Sequence, residues 1–216
     1  MKRVLLAAVL CAPLFAFAQE ATPAPAAAAT DAFTQGDATA GATKATACFA
    51  CHGPGGNGAI NPEWPKLAGQ HSAYIYGELN DFKTSQRKNP VMLGQAAALS
   101  DPDMRNVAAY FATQKPVPGV ASKDSIAVAE KLYRAGDAGR GLPAYAACHG
   151  PTGAGNSAAA FPRIGGQNAG YTANQLNNFK GGERGATGKG QMMAAVASKL
   201  SDQEIQALAS YVSGLQ

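Results

Sequence analysis

The chain repeats itself, and this limits its fold more than any other feature. Cys51, His52, Gly53 and Pro54 recur as Cys148, His149, Gly150 and Pro151, a shift of 97 residues. The same shift carries Pro65, Gly69 and Gln70 onto Pro162, Gly166 and Gln167. It also carries Tyr74, Leu79, Asn80, Phe82 and Lys83 onto Tyr171, Leu176, Asn177, Phe179 and Lys180. Trp64 falls on Phe161. Near the end of each half the shift becomes 101, which one insertion of four residues explains. Met92, Leu99, Ser100, Asp101 and Tyr110 then meet Met193, Leu200, Ser201, Asp202 and Tyr211. Such a period describes two like domains, each small enough to need a staple beyond its own apolar core. Their expected bounds are 36–114 and 123–216, joined by the Pro- and Gly-bearing linker 115–122.

The local pattern is helical. Met104, Val107, Ala108 and Phe111 form an i, i+3, i+4, i+7 stripe, as do Ile205, Leu208, Ala209 and Val212. Ser201 and Glu204 have capping-box spacing, with Leu200 and Ile205 placed as a hydrophobic staple. Ser100 caps the corresponding helix of the first half, with Asp103 in its first turn. No segment alternates with period two. The expected class is all-α: two tandem small helical domains.

Residues 1–18 combine Lys2 and Arg3, an apolar run and Ala16-Phe17-Ala18, which reads as a secretory signal peptide. The run contains Pro13 and is short for a membrane anchor. Residues 19–35, rich in Ala, Pro and Thr, read as a tether. Without the leader, 16 basic residues face 14 acidic ones, a formal charge of +2, and no basic run suggests nucleic acid. Cys11 leaves with the leader. The remaining Cys48, Cys51 and Cys148 are an odd number, so a disulfide framework accounts for them poorly.

Residues 48–52, Cys-Phe-Ala-Cys-His, have the spacing of c-type haem attachment. Two thiols three residues apart share a helix face, where each can form a thioether with one haem vinyl group. The next histidine, His52, then reaches the iron. A redox disulfide would be expected with a βαβ pattern, and a zinc site would want a fourth ligand; neither is visible. Met92 and Met193 stand at equivalent places before the last helix of each half and are the candidate sixth ligands, both expected on loops. Met192 is the rival to Met193. Met104 belongs to the apolar stripe, and His71, opposite Asn168, is expected to be structural or at the surface. The carbonyls of Pro65 and Pro162, each 13 residues after a motif histidine, are candidates to fix the imidazole rings. Tyr74, Tyr171, Gln70 and Gln167 could bond the haem propionates or line the contact between domains.

Segments such as 36–58, 64–70, 89–94 and 99–111, with 148–156, 161–167, 192–205 and 210–215, make the chain resemble the diheme cytochrome c4 family over residues 36–216. The resemblance implies two class I cytochrome c domains in pseudo-twofold packing, with two haem c groups. It implies a periplasmic carrier between a quinol-oxidising complex and a haem-copper terminal oxidase. Its axial pairs are His52 with Met92 and His149 with Met193. Cys48, Cys51 and Cys148 match the thioether positions, and Tyr145 stands where the fourth cysteine would be. The second haem is therefore expected to hang on Cys148 alone, with Tyr145 at the haem edge. The chain is expected to be an electron carrier with loose membrane association, and the tether is compatible with a bound subunit of a larger dehydrogenase. Three rivals remain open: a diheme peroxidase, a bound electron-accepting subunit of a dehydrogenase, and a haem-free second half kept for docking.

Overall fold

The computed structural model describes residues 33–58, 60–186 and 188–216. The proposed leader and residues 19–32 of the tether lie outside them. The first half holds α1 (Ala38–Ala45), α2 (Phe49–His52), α3 (Ser72–Lys83), α4 (Pro90–Ala97) and α5 (Asp101–Thr113). The second holds α6 (Lys123–Ala135), α7 (Tyr145–His149), α8 (Ala169–Lys180), α9 (Gly190–Ala197) and α10 (Asp202–Ser213). Among the described residues, extended pairing is confined to two isolated bridges, Asp137 with Leu142 and Asn156 with Phe161. The chain is all-α, as expected.

Each half closes around its last helix. Both capping boxes form: Ser100 accepts from the Asp103 amide and Ser201 from the Glu204 amide, while each acidic side chain returns to the serine amide. The stripe of α5 is buried against α1 and α3. The stripe of α10 is buried against α6 and α8. Helices this short are marginal alone, so tertiary burial of the stripe carries them. Gly41 lets α1 come close to α5, because a Cβ there would collide with the backbone carbonyl of Asn106.

The halves differ ahead of the motif. In the first, only Thr46 and Ala47 separate α1 from Cys48. In the second, residues 136–144 separate α6 from α7. This inserted loop turns at Gly136, whose φ is +67°, and is closed by the bridge from Asp137 to Leu142. Arg140 ties it to Glu204 at the start of α10, with a guanidinium nitrogen 2.7 Å from the carboxylate. The 97-residue register thus runs forward from the motif and does not extend to the helices that precede it.

Filling Gly41 tests the crossing of α1 and α5. Gly41→Ala should destabilise the first half by ~1–3 kcal/mol through overpacking, measured as a shift in denaturant midpoint at constant slope.

Candidate haem sites

The motif histidines end short helices that stop in the same way. His52 closes α2 and His149 closes α7, and each is followed by a glycine with positive φ, Gly53 at +76° and Gly150 at +77°. A side chain at Gly53 would strike the backbone of Gly58, so the chain turns back tightly under the imidazole. Each ring is buried, and its Nδ1 meets a proline carbonyl: Pro65 O at 2.8 Å for His52 and Pro162 O at 2.9 Å for His149. Donation from Nδ1 leaves Nε2 as the lone-pair nitrogen. Burial lowers the pKa of both rings against the opposing effect of these hydrogen bonds, which favours the neutral form that metal ligation needs.

Cys48, Cys51 and Cys148 are free thiols, with Cys48 and Cys51 half-buried and Cys148 exposed. Burial and the neighbouring Cys51 push the Cys48 thiol up. Free thiols beside a histidine whose Nε2 is uncommitted are the donor set that a covalently attached haem requires, so these residues fit the group.

Met92 and Met193 are half-buried and pack against the cores of their halves. They do not lie on loops, as expected from sequence; they lie in the first turns of α4 and α9. Asn89 starts α4 by accepting from the Met92 amide at 2.9 Å, and Pro90 fits the first helical position. Met192 is 49% exposed, which separates it from Met193. Met104 is buried in the stripe of α5.

Tyr145 begins α7 and is only 6% exposed. Its ring joins the second core and lies parallel to Tyr133, with centroids 6.3 Å apart. Its hydroxyl is buried without a hydrogen-bond partner among the described residues, and burial pushes its pKa up. Tyr133, by contrast, donates to Gly150 O at 2.6 Å, beside His149. The ring of Phe161 lies 6.3 Å from that of His149, whereas its counterpart Trp64 is 37% exposed.

Gln70 and Gln167 line the contact between the halves. Gln70 donates to Arg163 O and accepts from Arg163 N; Gln167 donates to Lys66 O and accepts from Lys66 N, all within 2.8–2.9 Å. Lys66 and Arg163 are themselves equivalent by the 97-residue shift. Like residues exchanging like bonds is the mark of twofold-type packing. His71 also faces the second half: burial lowers its pKa first, a hydrogen bond to the Ala154 backbone opposes this, and the Arg163 charge lowers it further.

Further along the same contact lies a group of which the sequence pointed only to Tyr74 and Tyr171; Glu78, Arg87, Gln175 and Arg184 were missed. Arg87 donates to Glu78, to the Tyr171 hydroxyl at 3.1 Å and to Gln175 at 2.8 Å. Arg184 reaches Glu78, the Tyr74 hydroxyl at 2.8 Å and Gln175 at 2.8 Å. Burial pushes the Glu78 carboxyl up, but Arg184 and Arg87 beside it prevail and hold it below its usual range. Arg87 falls on Arg184 under the 97-residue shift, a signal that was present in the sequence.

The sequence model of the family described as "Cytochrome c" matches residues 38–115 and 146–216. The chain is 44% identical over 189 residues to "Cytochrome c4" of Azotobacter vinelandii, covering 83% of this chain and 90% of that one. It is 38% identical over 183 residues to "Thiosulfate dehydrogenase electron acceptor" of Stutzerimonas stutzeri (strain A1501), covering 83% of this chain and 82% of that one. The crystal structure of reduced recombinant cytochrome c4 from Pseudomonas stutzeri superposes with a TM-score of 0.80 at 44% identity, over 84% of this chain and 100% of that one.

The orphaned hydroxyl of Tyr145 makes a test. Tyr145→Phe keeps the stacked ring and deletes the unpaired group, so it should raise stability by about 1 kcal/mol, read from chemical unfolding. A loss of stability would mean that the hydroxyl has a partner in the loaded protein.

Proposed function

The chain belongs to the cytochrome c family as a diheme electron carrier with two haem c groups, and from that premise we propose that it carries electrons in the periplasm. Its donor is a quinol-oxidising complex and its acceptor a haem-copper terminal oxidase. The domains are 36–114 and 123–216, joined by 115–122. His52 with Met92, and His149 with Met193, are the axial pairs. Cys48 and Cys51 form the thioethers of the first site, and Cys148 the single thioether of the second.

The observation that carries this reading is the twice-built imidazole mount. At the same 13-residue spacing, each motif histidine gives its Nδ1 to a proline carbonyl and keeps Nε2 for a metal. The haem would supply one-electron exchange at iron held between a nitrogen and a soft thioether sulfur, a pairing that raises the potential. The protein's part is to hold that geometry unchanged through the exchange. Pro65 and Pro162 fix the rings, and α4 and α9 present the methionines from capped or packed first turns. Were His52 with Met92 and His149 with Met193 to hold the iron, small oxidants would find no open site, which disfavours the peroxidase reading.

A second reading, an electron acceptor of a dehydrogenase, is favoured by the likeness to the thiosulfate dehydrogenase electron acceptor. Co-purification with a dehydrogenase and reduction by it in the presence of its substrate would support this reading over the respiratory one. No helix among the described residues is long and apolar enough to cross a membrane.

Haem count and linkage test the site assignment. A pyridine haemochrome spectrum with intact mass should show two haems per chain, one retaining an unsaturated vinyl and absorbing further to the red. Tyr145→Cys should bring the second haem to the position of the first. One haem per chain would overturn the second site.

A further inference from the structure

The buried group between the halves is symmetric in everything but charge. Tyr74 and Arg87 map onto Tyr171 and Arg184, while Glu78 maps onto Gln175. Both arginines reach Glu78, and both reach Gln175. Two guanidinium charges and one carboxylate therefore sit on a contact that is otherwise twofold. The arginines are equivalent across it, so their fields act alike on the two halves and cancel in any difference between them. The field of Glu78 does not cancel.

Glu78 also belongs to one half more than to the other. It stands on α3 at the edge of the face (Ile75, Leu79 and Phe82) that forms the first core, against which Met92 packs. Gln175 stands on α8 in the same relation to Leu176 and to the second core, against which Met193 packs. Each therefore stands on a helix packed into the core of its own half and is bonded by the arginine of the other half across the interface.

We propose that Glu78 makes the two haem sites electrically unequal, lowering the potential of the first relative to the second. Ferric haem carries one more positive charge than ferrous haem, so a nearby fixed carboxylate stabilises the ferric state, and more strongly at shorter range. In the half-reduced protein the shared electron then resides more on the second haem. Glu78 is paired with Arg87 and Arg184 and not with a candidate ligand, so its part is to position charge. The proposal rests on the two-haem reading and on the ligand assignments above.

Three variants separate this from a merely structural role: Glu78→Gln, Gln175→Glu and the swap Glu78→Gln with Gln175→Glu. Spectroelectrochemical titration would give two midpoint potentials for each, with haem counted by pyridine haemochrome. Glu78→Gln should raise the mean potential and Gln175→Glu should lower it. Both make the interface symmetric, so both should move the first potential upward relative to the second. The swap keeps charge and composition, so it should leave the mean near the parent and move the separation further in that direction. Should Glu78→Gln lose haem by leaving two arginines unneutralised, the other two variants decide. Two haems per chain with an unchanged separation in the swap and in Gln175→Glu would overturn the proposal. A parent chain with fewer than two haems would overturn the two-haem reading instead.

Discussion

Everything in each half is arranged around one hydrogen bond, from a motif histidine Nδ1 to a proline carbonyl 13 residues on. The carbonyl can reach the ring only if the chain doubles back at once after the helix. Gly53 and Gly150 permit this because positive φ is cheap without a Cβ. Proline suits the accepting position because it brings a carbonyl without an amide that would need a partner of its own. The bond fixes which nitrogen is free and which way the ring faces. A ligand for a metal that changes charge must hold still, and a backbone carbonyl holds it without adding a titrating group.

The two halves then meet through polar groups. Backbone edges at Lys66 and Arg163 are capped by glutamine side chains from the opposite half, and the linker is pinned where it passes. Asn57 donates to Lys115 O and accepts from the Val117 amide, each at 2.8 Å. Such bonds are directional, so they set an angle between domains that an apolar contact would leave loose. The arginine and carboxylate group adds a cost: buried ions recover their desolvation only when every partner is in place. An interface of this kind favours a single orientation, and the rate of electron exchange between two fixed sites depends on keeping it.

Much of this was legible in the sequence. The stripes of α5 and α10, the capping box of α10, the Ser100 cap of α5 and the proline carbonyls could be read because each depends on residues at a fixed spacing, and the repeat because its shift is constant; that Asp103 closes a capping box on α5 as well came from the structure. The helices under Met92 and Met193 were not read. Each is only about two turns long, below the length at which periodicity speaks, and Asn89 with Pro90 was the one local sign of a start. The loop 136–144 was hidden because the repeat aligns well only from the motif onward. Glu78 was missed for a different reason: its partner Arg184 lies 106 residues away, and nothing local marks a carboxylate on a helix as bound across a domain contact.

Tyr145 shows how a local exchange spreads through packing. A cysteine at the first position of the motif needs little room, and Cys48 stays half-buried at the margin of its core. A phenol at the same position is too large for that margin, and the ring goes inward, parallel to Tyr133 and against α10. The loop 136–144 allows this, since it joins α7 to α6 by a longer path than Thr46 and Ala47, which join α1 to Cys48. Aromatic stacking and burial favour the inward ring, while the unpaired hydroxyl opposes it. The position that holds Cys48 in the first half is thus part of the core in the second, and the histidine mount on Pro162 is the same as that on Pro65.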